Sequence, residues 1–152
     1  DQVHDGAKMT GTSYKVPNRP VSPGEEVARE DFEIIHAMPV KSIITAPGSR
    51  QTHPLGSELE VRGHAWAGDV SVSDVAVSID FGATWQKAEL DEPVNTHAWQ
   101  NWRAIIDFPQ SGYYEVWARA TDANGISQPH AIAWNPKGYL NNSLHRIAVT
   151  VS

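Results

Sequence analysis

Residues 58–80, ELEVRGHAWAGDVSVSDVAVSID, decide the fold, because two runs within them alternate between apolar and polar positions. The apolar positions are Leu59, Val61, Gly63 and Ala65 in the first run, and Val75, Val77 and Ile79 in the second. A period of two places such residues on one face of a β-strand. The Gly68–Asp69 pair between the runs is typical of a turn. The stretch therefore predicts two half-buried strands in sequence.

Further runs of β-branched and aromatic residues lie on both sides of this stretch, separated by Gly, Pro, Asn and Asp. They are residues 40–45, 85–90, 102–108, 113–121 and 145–151. Seven short strands at this spacing are typical of a constant-type immunoglobulin sandwich. Long connections fall at residues 91–100 and 122–144, and no helix is predicted with any strength. The sequence predicts an all-β, immunoglobulin-like antiparallel β-sandwich of about seven strands with long loops.

Residues 1–33 show no sustained period of 2 or 3.6, and Pro17, Pro20, Pro23 and Gly24 lie close together there. We predict an irregular N-terminal extension over this segment, formed by the tail of a preceding domain and a linker. One domain is predicted over residues 34–152. The first residue is Asp rather than Met, which agrees with a preceding domain.

Composition excludes several classes of function. The net charge of -6 comes without a basic stripe that could follow nucleic acid. No apolar run approaches the ~20 residues that cross a bilayer, so no membrane partner is expected. The chain has no Cys, which excludes thiolate nucleophiles and thiolate-bound metals. Its seven His lack the spacing of metal ligands, so we expect no metal or cofactor bound by this chain.

Residues 78–85, SIDFGATW, match the pattern of an Asp-box hairpin, in which Gly takes a positive φ and Asp bonds back to the turn. The motif recurs once per blade in some propellers but occurs once here, which excludes a propeller. We interpret it as a structural turn.

Enzymatic motifs are missing. The sequence contains no G-x-S-x-G elbow, no S-x-x-K and no Walker loop. The acidic pairs Asp91–Glu92 and Glu25–Glu26 are loop neighbours that solvation explains, so a hydrolase with an acid pair has no supporting spacing. No catalytic residue is predicted in this chain.

Two segments are candidates for binding. Trp99, Trp102 and Arg103 could form a stacking platform for a sugar or a protein, although large aromatic residues more often pack in a core. In residues 134–142, WNPKGYLNN, a rigid turn presents Lys137, which with Arg146 could bind an oxyanion such as sulfite or sulfate. The alternative for Lys137 is a solvated loop residue.

Six blocks, taken in order, resemble the dimerisation domain of the sulfite oxidase family, including bacterial sulfite oxidases and sulfite dehydrogenases. The blocks are residues 38–45, 63–68, 75–85, 98–102, 120–122 with 128–129, and 134–138 with 145–146. The resemblance covers roughly residues 34–152. In this family a separate domain holds molybdenum through molybdopterin and a Cys thiolate, and oxidises sulfite to sulfate with water. The electrons pass to a haem or a cytochrome c.

This resemblance implies a structural domain that forms a homodimer, packs with the molybdopterin domain of its own enzyme and is inactive alone. Lys137 matches the residue that the domain lends to the anion pocket, where eukaryotic members have Arg, and Trp134, Asn135 and Arg146 would support it. Trp99, Trp102, Arg103 and the last strand are candidates for the dimer interface. Bacterial members are often periplasmic, so we expect that location.

A second hypothesis stays open from the sequence. The chain could instead be a free-standing immunoglobulin-like module that binds a carbohydrate or a protein. Its anchors would be Trp99, Trp102, Tyr113 and Tyr114.

Overall fold

The computed structural model describes residues 11–152, which contain eleven strands and one short 3₁₀ helix. By their internal contacts these residues divide into two units, described separately below. The smaller unit contains residues 11–38 and Ala131–Asn141, and the larger contains Pro39–His130 and Asn142–Ser152. In the described range no helix has the length and apolar character needed to cross a bilayer.

The smaller unit contains an antiparallel pair of short strands, β1 (Lys15–Pro17) and β2 (Phe32–Ile34). A 3₁₀ helix at Arg29–Asp31 leads into β2. Residues 1–10 of the predicted irregular extension lie outside the described residues, and residues 11–33 are irregular apart from β1, the 3₁₀ helix and the start of β2. That this segment is the tail of a preceding domain stays a prediction. Strands of three residues are too short to show a period of two. Their pairing depends on contacts between residues far apart in the sequence.

The larger unit is a sandwich of two sheets. Its strands are β3 (Lys41–Ala46), β4 (Gln51–His53), β5 (Leu59–Trp66), β6 (Val72–Ser78), β7 (Gln86–Lys87), β8 (Glu89–Leu90), β9 (Gln100–Ile106), β10 (Gly112–Asp122) and β11 (His145–Val151). One sheet has the order β4-β11-β10-β6-β7 and the other β3-β5-β9-β8. Every pair is antiparallel except β11 with β4. The predicted immunoglobulin-like sandwich is confirmed.

The core lies between the inner faces of the two sheets. Alternation along the strands buries Val61, Val116 and Val149 completely, as a half-buried strand requires. Trp102 is 2% exposed and lies over Gly63 on the neighbouring strand. A Cβ at Gly63 would collide with the Trp102 ring and with the Ile43 carbonyl, so this close packing requires glycine.

Two strand predictions differ from the structure. Residues 85–90 form two strands in different sheets instead of one, because the chain crosses between the sheets at Ala88. Ala88 is buried, and its N–H donates to the Val75 carbonyl at 2.8 Å. Strand β4 was not predicted, since its three residues show no period and it pairs with β11 across a long separation in sequence.

The side chain of Gln128 joins the two sheets of the sandwich. Its Oε1 accepts hydrogen bonds from the N–H of Ser42 at 2.9 Å, the hydroxyl of Ser42 at 2.8 Å and the N–H of Ala120 at 2.9 Å. Its Nε2 donates to the carbonyls of Asn142 at 3.0 Å and Ser143 at 3.1 Å. Ser42 lies on β3 and Ala120 on β10, so one carboxamide links both sheets to the segment that leads into β11.

His145 makes a second link between the sheets. Its Nδ1 accepts a hydrogen bond from the N–H of Ile44 at 3.0 Å, which connects β11 to β3. Burial, with a smaller contribution from the nearby Lys41, lowers the pKa of the His145 imidazole. A neutral ring suits this contact, because a protonated Nδ1 could no longer accept a hydrogen bond.

Replacing Gln128 with Glu should destabilise the sandwich at neutral pH by about 2 kcal/mol or more, because a carboxylate oxygen would face two carbonyl oxygens. Protonation of the carboxyl at acidic pH would restore a donor and recover part of the loss. Urea unfolding at pH 7 and pH 5 measures both effects. Gln110→Glu, at an exposed position, is the matched control. Equal stability of Gln128→Glu and the wild type at pH 7 would contradict this account.

Candidate functional site

The turn that carries Lys137 belongs to the smaller unit and is braced by Asn135. The Asn135 Oδ1 accepts from the N–H of Lys137 at 3.1 Å, and its Nδ2 donates to the Tyr139 carbonyl at 2.9 Å. Gly138 has φ +67°, a conformation that glycine adopts without strain. The Tyr139 ring stacks on that of Tyr14 with centroids 6.0 Å apart. The turn is therefore held by bonds on both sides of Lys137.

Lys137 is exposed on this turn, and no hydrogen bond or ion pair holds its ammonium group among the described residues. An ammonium group offers three donors and a full charge to an anion. Asn135 acts through the backbone of the turn, and Trp134 is 38% exposed. Arg146 belongs to the sandwich, where its guanidinium contacts the Glu115 carboxylate at 3.3 Å. Its predicted support of Lys137 stays a prediction.

The second predicted segment begins β9 on the four-stranded sheet. Trp99 is 63% exposed, and its ring stacks on the imidazole of His64 at 4.9 Å with an interplanar angle of 9°. The Arg103 guanidinium pairs with the Glu89 carboxylate at 2.6 Å, which raises the pKa of Arg103. Arg103 and His64 line an open recess of about 550 Å³, and Trp99 borders it only through its stack on His64. Trp99 and Arg103 are therefore available to a partner.

Trp102 does not share that surface, because it is a core residue at 2% exposure. The packing interpretation of Trp102 is confirmed, and the interface interpretation does not apply to it. The proposed aromatic anchors of a free-standing binding module are also scattered. Tyr114 packs against the core, and Tyr113 is exposed on β10, in the sheet opposite Trp99. These four rings do not form one platform.

The Asp-box turn has the geometry expected of it. The Asp80 carboxylate accepts from the Thr84 N–H at 2.9 Å and the Thr84 hydroxyl at 2.6 Å, and from the Ser78 hydroxyl at 2.7 Å. The Trp85 indole N–H donates to the Gly82 carbonyl at 3.0 Å. All of these bonds lie within the turn, so the structural interpretation is confirmed.

The outer side of the five-stranded sheet carries a cluster that the sequence analysis missed. We call it the aromatic–arginine face, and it comprises Phe81, Trp85, Tyr113, Glu115, Trp117, Arg119, His130 and Arg146. The Arg119 guanidinium lies over the Trp85 ring at 4.1 Å, and that of Arg146 lies 5.8 Å from the Trp117 ring centroid. Aromatic and guanidinium groups attract each other in this geometry.

Two further side chains complete the face. The His130 ring packs against both Trp85, at 6.2 Å, and Trp117, at 5.9 Å, and the Phe81 ring meets Trp117 edge-on at 6.0 Å. The alternation of Tyr113, Glu115, Trp117 and Arg119 along β10 could have signalled a shared outward face. Phe81 and His130 reach that face from loops, so only the fold brings them there.

Comparisons with known proteins agree with this architecture. The profile of the Mo-co oxidoreductase dimerisation domain family matches residues 32–152. The mitochondrial sulfite oxidase of Homo sapiens is 36% identical over 143 residues, which cover 86% of this chain and 26% of that protein. An inducible NADH nitrate reductase of Glycine max is 30% identical over 131 residues, covering 78% of this chain and 15% of that protein. The chain thus spans about a quarter or less of these curated relatives.

Solved structures show the same fold. The sulfane dehydrogenase SoxCD from Paracoccus pantotrophus aligns with 88% of this chain and 34% of its own chain, at a TM-score of 0.63 and 24% identity. The CARDB domain of a Pyrococcus furiosus protein aligns with 78% of this chain and 97% of its own, at a TM-score of 0.51 and 17% identity.

The fold defines an immunoglobulin-like β-sandwich module. Within that class, the family profile covers most of the chain, and the chain belongs to the Mo-co oxidoreductase dimerisation domain family. The resemblance to the sulfite oxidase type of molybdenum enzyme is confirmed.

The residues of this chain do not fit a molybdenum site. The family's thiolate ligand has no counterpart, because the sequence contains no Cys. Within residues 11–152, no three His, Cys, Asp or Glu side chains gather as potential metal ligands. A metal site requires ligands of the right type and number. We therefore assign no chemical step to such a group here.

Asp80 should contribute a separate component to acid unfolding. Hydrogen bonds from the Thr84 hydroxyl, the Thr84 N–H and the Ser78 hydroxyl lower its pKa from 3.8 to about 2. The stabilisation is therefore complete above pH 3.8 and is lost as the pH falls towards 2. Asp80→Asn keeps one acceptor oxygen in place of two and cannot titrate, so its stability should change less over this range. Urea midpoints measured from pH 2 to pH 6 test this, and parallel curves for both proteins would refute it.

Proposed function

We propose that this chain is the dimerisation domain of a sulfite oxidase-type molybdenum oxidoreductase and that it associates with a second copy of itself. The family match over residues 32–152 carries this proposal. The enzyme that contains the domain would oxidise sulfite to sulfate with an oxygen atom from water. Its molybdopterin domain would hold the metal, and a haem or a cytochrome c would receive the electrons.

The choice of an oxyanion substrate has support from the relatives. One group is named as sulfite oxidases and another as nitrate reductases, and both names refer to small oxygen-bearing anions. SoxCD is named a sulfane dehydrogenase, so a reduced sulfur compound is the main alternative within the same class. Sulfite is favoured because the sulfite oxidase of Homo sapiens, at 36% identity, is more similar to this chain than the nitrate reductase of Glycine max, at 30%.

Lys137 is the residue that we propose the domain lends to the substrate anion. Its support is the braced turn, which places an exposed ammonium group without an ion-pair partner among the described residues. A flexible lysine loses rotamer entropy when it binds an anion, and a preformed turn reduces the part of this cost that comes from the backbone. Trp134 and Arg146 are proposed as supporting groups.

A bacterial, periplasmic location of the enzyme is proposed from the sulfite dehydrogenase members of the family.

The alternative, a free-standing carbohydrate-binding or protein-binding module, has less support. Its four aromatic anchors lie in the core, against the core, or on opposite sheets. A sugar-binding platform needs rings that share one accessible surface.

The mass of the chain in solution tests the proposed association. We expect light scattering over a dilution series to give twice 16.7 kDa down to low micromolar concentration. The dimer should persist at moderate salt, because burial of apolar surface is little screened. A mass of 16.7 kDa throughout the series would reject self-association by this chain.

Lys137→Met, made in the complete enzyme, should raise KM for sulfite by roughly 10- to 100-fold, because one charged hydrogen bond to the anion is lost. Lys137→Arg should preserve most of the affinity, since the guanidinium keeps the charge. Lys87→Met removes a lysine that pairs with Asp74 at 3.3 Å and serves as the control. An unchanged KM in Lys137→Met would exclude this role.

A further inference from the structure

The geometry points to the aromatic–arginine face as the surface on which the second copy of this chain docks, in a two-fold symmetric contact. This inference rests on the proposed function, because it assumes that the chain associates with itself. It concerns which of the two outer sheet surfaces forms the contact.

The aromatic–arginine face has the residue composition of a protein interface. Phe81 is 60% exposed and Tyr113 is 61% exposed, and they border the half-buried Trp117 on one surface. Trp, Tyr and Arg dominate the binding energy of protein interfaces, while isolated exposed apolar residues are ordinary. Here several such residues share one face.

The second argument is that the face is held in place before any partner arrives. The Trp117 indole donates to the Glu115 carboxylate at 2.9 Å, and Tyr113 donates to the same carboxylate at 3.2 Å. The guanidinium of Arg119 is stacked on Trp85. Side chains that are already ordered lose less entropy on binding, which favours association.

The third argument is self-complementarity of shape. Across β10 and β11, Tyr113 is paired with Thr150, Glu115 with Ala148, and Trp117 with Arg146. Thr150 and Ala148 on β11 are smaller than the Tyr113 and Glu115 beside them, so a ridge on β10 lies next to a shallow groove at this end, which the long Arg146 side chain closes. A two-fold axis can place the ridge of each copy in the groove of the other, because both copies present the same surface.

Charge gives a fourth argument. Arg146 and Glu115 lie side by side on this face at 3.3 Å, so both signs are present on one surface. A two-fold axis near them can bring the Arg146 of each copy towards the Glu115 of the other. An isologous contact needs this mixture, since a face of one sign would repel its own copy.

The opposite outer surface is less suited to this role. Its charges are already paired with one another, Arg62 with Glu60 at 3.2 Å and Arg103 with Glu89 at 2.6 Å. Trp99 is its large exposed ring and is stacked on His64. Ion pairs occur on both outer surfaces, so the difference lies in the aromatic groups: this surface offers one large exposed ring, and the aromatic–arginine face offers Phe81 and Tyr113 beside Trp117.

The experiment compares dimer dissociation constants of variants of the whole chain by light scattering and analytical ultracentrifugation. Phe81→Asn with Tyr113→Thr removes two exposed rings. Phe81 has φ +58°, a conformation that Asn tolerates, and Thr suits a strand, so both changes should preserve the fold. We expect at least about a tenfold rise in the dissociation constant. Trp99→Ser, on the other sheet, should change it by less than about threefold.

A charge exchange between copies tests the two-fold pairing. Arg146→Glu and Glu115→Arg should each weaken the dimer by about tenfold, because each places like charges across the contact. An equimolar mixture of the two variants should recover most of the wild-type affinity, since only a pair of different copies brings opposite charges together while the pair within each copy stays broken. A dimer that survives the Phe81 and Tyr113 changes but is lost in Trp99→Ser would overturn this choice of face and leave the proposed function standing. A wild-type chain that is monomeric at every concentration would overturn both.

Discussion

The two sheets of the sandwich depend on one buried carboxamide. The five hydrogen bonds of Gln128 satisfy donors on β3 and β10 and carbonyls at Asn142 and Ser143. A buried polar group left unpaired costs more than a formed hydrogen bond contributes, so the arrangement is stable only when complete. Gln128 also lies where the chain leaves the sandwich, and Asn142 where it returns. The same residue that joins the sheets therefore also bonds to the chain where it re-enters the sandwich.

Much of the fold could be predicted because the long strands are amphipathic. β5, β9 and β11 alternate between buried and more exposed residues, and a period of two is visible in the sequence alone. The predictions were wrong where the deciding contacts are distant in sequence. The crossing at Ala88 depends on a hydrogen bond to Val75, and β4 depends on its pairing with β11 far along the chain. Neither leaves a local pattern.

The candidate site shows the same difference between features set locally and features set by distant contacts. The turn at Lys137 could be predicted because Asn135, Pro136 and Gly138 impose it locally. The burial of Trp102 could not be distinguished from exposure, since it depends on the absence of a side chain at Gly63 on another strand. The aromatic–arginine face required the folded sheet, because Phe81 and His130 reach it from loops before and after β10 and share no sequence pattern with that strand. A site formed by one turn could therefore be predicted from the sequence, and a surface assembled across several strands could not.

The edges of the sandwich limit the kind of assembly that the described strands can form. At β3, the N–H groups of Ser42 and Ile44 are already occupied by Gln128 and His145, and the other edge strands contain only two or three residues. A further strand finds few free backbone groups, so growth by strand addition is disfavoured. Association can then use only the sheet faces. A face that binds a second copy is buried by that contact and cannot bind a third. Under the proposed two-fold contact, association would stop at a closed pair and would not propagate into fibres.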